Sequence, residues 1–153
     1  GDPKRACTCL PGAILRYQKR VSGPILDRID IHVDVPSVDT QKLVGKNEGK
    51  TANSKDIQKK VQLARNVQIK RFKKTKLKSN SEMATREVKK FCPLSLECRT
   101  MMQSAVATMN LTARSYFKVI KVARTIADLA GATEVSANHL AEALMYRPKG
   151  NEL

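Results

Sequence analysis

The stretch TARSYFKVIKVARTIADLAG, residues 112–131, decides the fold of this chain. Thr112 can cap a helix, Gly131 can end it, and the residues between them carry apolar side chains at helical spacing. The inward positions are Tyr116, Val119, Ala123, Ile126 and Ala127. Because such an amphipathic helix must be covered by other elements, the sequence predicts a helical bundle around residues 112–131.

The region before this stretch predicts a second long helix. Asn53 or Ser54 can cap it, and it reaches Phe72 or beyond before the polar residues 78–81 end it. Helical spacing predicts an inward face made of Ile57, Val61, Ala64 and Val67.

Three further helices complete the predicted bundle. Thr85 can cap a short helix that Pro93 stops, because proline disfavours helical backbone in the residue before it. Ser95 can cap the next helix and Ser136 the last one. Residues 54–153 are therefore predicted to form one all-α unit.

The N-terminal part has a different pattern. A short helix is predicted over 13–20, and a strand follows in which Ile29, Ile31, Val33 and Val35 alternate with polar residues. Since one strand leaves its backbone groups unpaired, either a partner chain or another part of a longer protein must complete the sheet, and we favour the second. We predict that 1–44 is the last helix and strand of an incomplete α/β core, and that 45–53 is a linker.

Positive charge is concentrated in one part of the chain. The 153 residues hold 29 Lys and Arg against 14 Asp and Glu, a net charge of +15. Residues 51–91 hold thirteen of the basic and three of the acidic side chains, with the densest run at 70–78. Such a run attracts phosphate backbones without sequence preference, although a solvated helix face is the alternative. The predicted DNA contacts are Lys70, Arg71, Lys73, Lys74, Lys76 and Lys78.

Several classes of protein are disfavoured by the sequence. No apolar run approaches the roughly 20 residues that cross a bilayer. We therefore expect no membrane partner, and we expect a cytoplasmic location. No Gly-x-x-x-x-Gly-Lys-Ser/Thr motif occurs in the chain, so it is not expected to hydrolyse a nucleotide alone. Cys7 and Cys9 offer two thiolates, whereas a structural zinc ion takes four ligands.

Two arginines stand where helix stability does not explain them. Arg28 directly precedes the predicted strand, and Arg114 lies in the first turn of the helix that Thr112 caps. A cation at a helix N-terminus opposes the macrodipole, so a bound phosphate is one reason for its presence. The alternative is a surface arginine that pairs with a neighbouring acid.

Several short motifs together resemble one known family. They are Gly1-Asp2, Cys7-x-Cys9, Ile14-x-Arg16-Tyr17, SGPILDRID at 22–30, Cys92-Pro93-Leu94, ARSY at 113–116, VARTIADL at 122–129 and HLAEA at 139–143. They resemble the magnesium-chelatase-like AAA+ proteins of the ComM/YifB type, from Gly1 to about Arg147. The resemblance weakens over 37–54 and again over 73–78.

The resemblance implies a longer parent with an N-terminal Lon-protease-like domain and an AAA+ module. This chain would hold the last strand of the AAA+ α/β core and the complete helical lid, a mostly α-helical fold. Arg28 would be the arginine finger that reaches the γ-phosphate bound by a neighbouring subunit, and Arg114 the sensor-2 residue. Arg124 also matches the family pattern, but it lies in mid-helix and is not assigned to the site.

The family also implies ligands and a function. Its members often carry a Cys-Pro-Cys-Gly stretch before the part matched here, so Cys7 and Cys9 would supply half of a zinc site. The parent would use ATP and Mg²⁺, assemble into a hexameric ring, bind single-stranded or branched DNA, and drive branch migration of recombination intermediates in transformation and recombination. Two alternatives remain open: the ATPase subunit of a true magnesium chelatase, and a non-enzymatic basic helical module that binds nucleic acid.

Overall fold

A computed structural model describes residues 6–35 and 53–148. Within these ranges the chain forms seven α-helices and one 3-10 turn, and no β-strand. The elements are α1 (Pro11–Gln18), α2 (Gly23–Leu26), α3 (Ser54–Phe72), the 3-10 turn (Asn80–Glu82), α4 (Thr85–Phe91), α5 (Leu96–Met109), α6 (Ala113–Leu129) and α7 (Ala137–Met145). The predicted helical bundle is confirmed.

Helix α6 is the centre of the bundle, as the stretch 112–131 predicts. It contacts α3, α4, α7 and the 3-10 turn. At its start the Thr112 hydroxyl accepts a hydrogen bond from the Ser115 N–H at 3.1 Å. After its end Gly131 takes a φ of 70°, a left-handed conformation that reverses the chain toward α7.

Apolar side chains from α3 to α7 form one core. Its fully buried members are Phe72, Met83, Val88, Cys92, Cys98, Met102, Val119, Ile120, Ala123, Ala127, Val135, Leu140 and Ala143. Phe72 meets Phe91 edge to face with ring centroids 5.3 Å apart, which joins α3 to α4. Both cysteines of this core are buried, and burial raises the pKa of the Cys92 thiol to about 11.

Most of the predicted N-cap residues occupy that position in the structure. Asn53 accepts from the Lys55 N–H at 3.2 Å, Ser95 accepts from the Cys98 N–H at 3.2 Å, and Ser136 directly precedes α7. Thr85 is instead the first residue of α4. The N-cap there is Ala84, and the Glu87 carboxylate stabilises this helix start by accepting from the Ala84 N–H at 3.1 Å.

The predicted inward face of α3 is wrong at three of its four positions. Ala64 is buried, but Ile57, Val61 and Val67 are 51%, 48% and 38% exposed. The buried residues of α3 are Ala64, Gln68 and Phe72, so only the C-terminal part of this helix lies against the bundle.

The predicted strand over 29–35 is also absent from the described residues. A strand requires the backbone groups of a neighbouring strand, and neither 6–35 nor 53–148 supplies one. The His32 N–H donates to the Tyr146 carbonyl at 2.9 Å instead, and the apolar side chains from Ile29 to Val35 remain exposed. Except for Asn53, the predicted linker lies outside the described residues.

None of the helices in the described ranges is long and apolar enough to cross a membrane.

Candidate functional site

The residues around Asp27 join the N-terminal segment to the start of α6. The Asp27 carboxylate accepts from the Thr112 hydroxyl at 3.2 Å, from the Ser115 hydroxyl, and from Arg147 Nη2 at 3.2 Å. The hydrogen bond from Ser115 is the largest influence that lowers the pKa of Asp27, and Thr112, Arg147 and Arg114 lower it further against the opposing effect of burial. Asp27 therefore places a carboxylate beside the N-terminus of α6, where the helix macrodipole favours negative charge.

Arg147, which follows α7, completes this cluster. It donates through Nη1 to the Ile29 carbonyl at 3.0 Å and through Nη2 to the Ser115 hydroxyl at 2.6 Å, besides Asp27. Its side chain is 5% exposed, and its Nε has no partner among the described residues. Three separate parts of the chain thus meet at one guanidinium.

Sequence reasoning missed this cluster. Asp27 stands beside the predicted strand without an obvious partner, and Thr112, Ser115 and Arg147 lie 85 to 120 residues away along the chain. The one signal available was that the family resemblance ends at about Arg147, just beyond the last helix.

Arg28 lies directly after Asp27, on an ordered and exposed turn. Its Nη1 donates to the Pro24 carbonyl at 3.0 Å. Lys118 of α6 holds this turn, since its ammonium group donates to the Arg28 carbonyl and pairs with Asp30 at 2.7 Å. No other partner of this guanidinium occurs in the described parts of the chain, so its remaining donors can bind an external anion.

Arg114 lies beside Ser115 in the first turn of α6, and its side chain is exposed. Within 6–35 and 53–148 it has no hydrogen-bond or ion-pair partner. Together with Asp27, Thr112 and Arg147 it lines a cleft of about 440 Å³ between α2 and the start of α6. The surface arginine that pairs with a neighbouring acid, our alternative for this position, is therefore not what the described residues show.

The predicted DNA-binding residues divide into two groups. The side chains of Lys70, Lys73, Lys74, Lys76 and Lys78 are exposed at and beyond the end of α3. Arg71 is different, because its guanidinium bonds both carboxylate oxygens of Asp128 and donates to Asn80 Oδ1 at 2.9 Å. Arg71 is thus part of the bundle and is removed from the exposed basic set.

Arg124 also has a structural position. It is 3% exposed, donates through Nε to Asp128 at 3.0 Å, and bonds the Ala132 and Thr133 carbonyls at 2.7 and 2.8 Å. Burial raises the pKa of Asp128, but hydrogen bonds from Arg71 and Asn80 and the charge of Arg124 outweigh it and lower that pKa overall. This cluster stabilises the bundle and faces no cleft of the candidate site.

Cys7 and Cys9 are exposed and unbridged. Among the described residues, no group of three or more His, Cys, Asp or Glu side chains could hold a metal ion. Two thiolates alone do not complete a zinc site, so the residues present do not fit that ion.

The fold and this site together define a helical lid that carries one exposed arginine on its central helix and docks a segment carrying a second one. The family described as magnesium chelatase, subunit ChlI C-terminal, matches residues 51–147, and the family described as magnesium chelatase, subunit ChlI, matches residues 1–43. The chain therefore belongs to the magnesium-chelatase-like family of the ComM/YifB type.

Curated relatives agree with this assignment. Competence protein ComM of Haemophilus influenzae is 36% identical over 138 residues, 90% of this chain and 26% of that protein. The protein YifB of Salmonella typhimurium is 34% identical over 139 residues, 91% of this chain and 26% of that protein. A Mycobacterium tuberculosis protein is 28% identical over 149 residues, 97% of this chain and 29% of its own length. This chain thus spans about a quarter of the length of its relatives.

Proposed function

We propose that this chain is the C-terminal part of an ATP-driven motor that assembles into a ring and remodels branched DNA. Its relationship to competence protein ComM supports a role in the uptake or recombination of DNA. ATP, bound with Mg²⁺ by parts of the longer protein, would supply the phosphoryl group whose transfer drives the motion. The residues of this chain would contribute positive charge at the phosphates and a contact to DNA.

One observation carries the proposal: the Asp27–Ser115 hydrogen bond lies between two exposed arginines. Arg28 is adjacent to Asp27 and Arg114 is adjacent to Ser115, so the bond holds the backbones of the two arginines at one junction. Phosphoryl transfer is accelerated mainly by positioned positive charge around the transferring group. Two exposed arginines held on a stable support fit that need, and Arg114 does not stabilise α6, because a cation at a helix N-terminus opposes the macrodipole.

The test is ATP hydrolysis by the full-length protein, with and without branched DNA. We expect DNA to stimulate turnover and Arg28→Ala to reduce it about 10³-fold or more, the scale reported for arginine fingers, while ATP still binds. Arg20→Ala, which removes an exposed arginine from the same segment, is the matched control. Unchanged turnover in Arg28→Ala would remove this residue from the site. A wild type without turnover would favour a non-enzymatic nucleic-acid-binding module.

We also propose that the exposed lysines beyond α3 contact the DNA backbone. Each neutralised phosphate adds about 0.9 to the slope of log affinity against log salt. Changing Lys73, Lys74 and Lys76 to Gln should weaken binding uniformly across sequences and reduce that slope by up to about 3. Changing Arg16, Lys19 and Arg20 to Gln removes as much charge from α1 and the two residues after it, and should leave the slope in place. Equal effects in both variants would mean that only net charge matters.

A further inference from the structure

We propose that Asp27, Ser115 and Arg147 form a latch that positions Arg28 against α6, and that the latch sets the rate of ATP hydrolysis without affecting ATP or DNA binding. The inference rests on the proposed function and adds three positioning residues to it. None of the three needs to touch the nucleotide.

The contacts of Arg147 with the N-terminal segment explain this role. Arg147 reaches two points of the N-terminal segment at once, the Asp27 carboxylate at 3.2 Å and the Ile29 carbonyl at 3.0 Å. These two points lie on either side of Arg28. Fixing the backbone before and after one residue restricts where its side chain can reach, which is the requirement for a group that must meet a transferring phosphate.

The latch also engages the Asp27 carboxylate with partners other than the two exposed arginines. Its carboxylate is already bonded by Ser115, Thr112 and Arg147. Once released, the same carboxylate would be able to pair with Arg28 or Arg114 and neutralise the charge that a phosphate requires. The latch therefore acts on the arginines in two ways. It restricts the position of Arg28, and it keeps the Asp27 carboxylate bonded to other residues.

The latch lies outside the apolar core of the bundle. The core is built from side chains between Phe72 and Ala143, and the N-terminal segment contributes none of them. Opening the latch should thus loosen the segment that carries Arg28, which would still contact Lys118 of α6, while α3–α7 stay folded. Positioning and stability can be separated by experiment for this reason.

The experiment compares latch variants in the full-length protein. We expect Arg147→Met and Ser115→Ala to lower kcat about 10- to 100-fold, with KM for ATP and the Kd for branched DNA within about twofold of wild type. Arg147→Lys should recover part of the rate, because an ammonium can pair with Asp27 but cannot also reach the Ile29 carbonyl. Arg99→Met is the matched control, since Arg99 is exposed and bonds only the Leu94 carbonyl.

A second readout reports the docking itself. In the same variants the His32 amide, which bonds the Tyr146 carbonyl at 2.9 Å, should exchange with solvent faster, while amides within α6 keep their protection. The double variant Ser115→Ala with Arg147→Met should lose no more rate than the worse single variant, because both changes open one latch.

The outcomes are separable. If Arg28→Ala abolishes turnover while Arg147→Met and Ser115→Ala leave kcat unchanged, the proposed function stands and the latch is overturned. A loss of rate with undiminished His32 protection, or an equal loss in Arg99→Met, overturns the latch as well. A wild type that hydrolyses no ATP overturns both proposals. Ser115→Ala removes only one hydroxyl, so it tests the latch even where Arg147→Met fails to fold.

Discussion

Two aspartates of this chain, Asp128 and Asp27, are each held by arginine, and the difference between them lies in burial. Asp128 is 0% exposed in its side chain and is shared by Arg71 and Arg124 inside the bundle. Asp27 is 22% exposed and is held by Arg147 at the edge of the bundle. Asp128, Arg71 and Arg124 form what we call the core cluster. It joins α3 to α6 permanently, because opening it would leave unpaired charges away from water. The cluster at the junction can open from the side of Asp27, whose carboxylate is in reach of water, and Arg147, 5% exposed, becomes hydrated once the N-terminal segment detaches.

The substitution expected to have the largest effect is Asp128→Ala. It leaves Arg71 and Arg124 without their acid inside the bundle, so the free energy of unfolding should fall by about 3–5 kcal/mol in urea denaturation. Asp56→Ala, which breaks an exposed pair with Lys59, should change it by less than about 1 kcal/mol. If the two variants are equally stable, the core cluster is not the joint described above.

Acidification tests both clusters together. The pKa of Asp128 and of Asp27 lies below the ordinary value of 3.8 in the folded protein, so the stability that these carboxylates add is complete above that value. It is lost as the pH falls through 3.8 toward the lowered folded pKa values. We expect the Tm to be nearly constant above that range and to drop within it. The drop should be smaller in Asp128→Asn, and an equal drop in that variant would contradict the role of Asp128.

Gly131→Ala, next to the core cluster, should lower the free energy of unfolding by an intermediate amount. Gly131 has a φ of 70° and precedes Ala132 and Thr133, whose carbonyls Arg124 bonds. No atom would obstruct the added methyl group, so the cost comes from the backbone and should be about 1–2 kcal/mol in urea denaturation. Gly12→Ala, at an equally open position without positive φ, should not destabilise the chain. Equal stability of Gly131→Ala and wild type would contradict the strain.

Asp27→Ala should have the smallest effect on the bundle. The N-terminal segment would detach and Arg147 would become hydrated, so the free energy of unfolding of α3–α7 should fall by no more than about 1 kcal/mol. Faster exchange of the His32 amide would report the detachment. A loss as large as that of Asp128→Ala would show that the junction belongs to the core, and the contrast between the two aspartates would be broken.

Local features were predictable because their partners are near in sequence. The caps at Asn53, Ser95 and Thr112 bind N–H groups two or three residues ahead, and the left-handed turn at Gly131 follows from its own backbone.

Features that depend on distant partners were not predictable. The inward face of α3 was misplaced because helical spacing does not say how far along a helix its neighbours extend. Arg71 looked like part of a basic surface because Asp128 is 57 residues away, and Asp27 looked unpaired for the same reason. The prediction of a strand over 29–35 was wrong because no neighbouring strand pairs with it in the described residues, and no pattern within the segment shows whether such a partner exists.

By itself the sequence determined the helices of the bundle, most of their caps, the concentration of positive charge and the family of this protein, since each depends on residues close together or on recognisable motifs. The tertiary structure alone decided which arginines are free and which are paired. An ion pair between remote residues forms only after folding brings them within hydrogen-bond distance, and burial then determines whether that pair is a permanent joint or a latch.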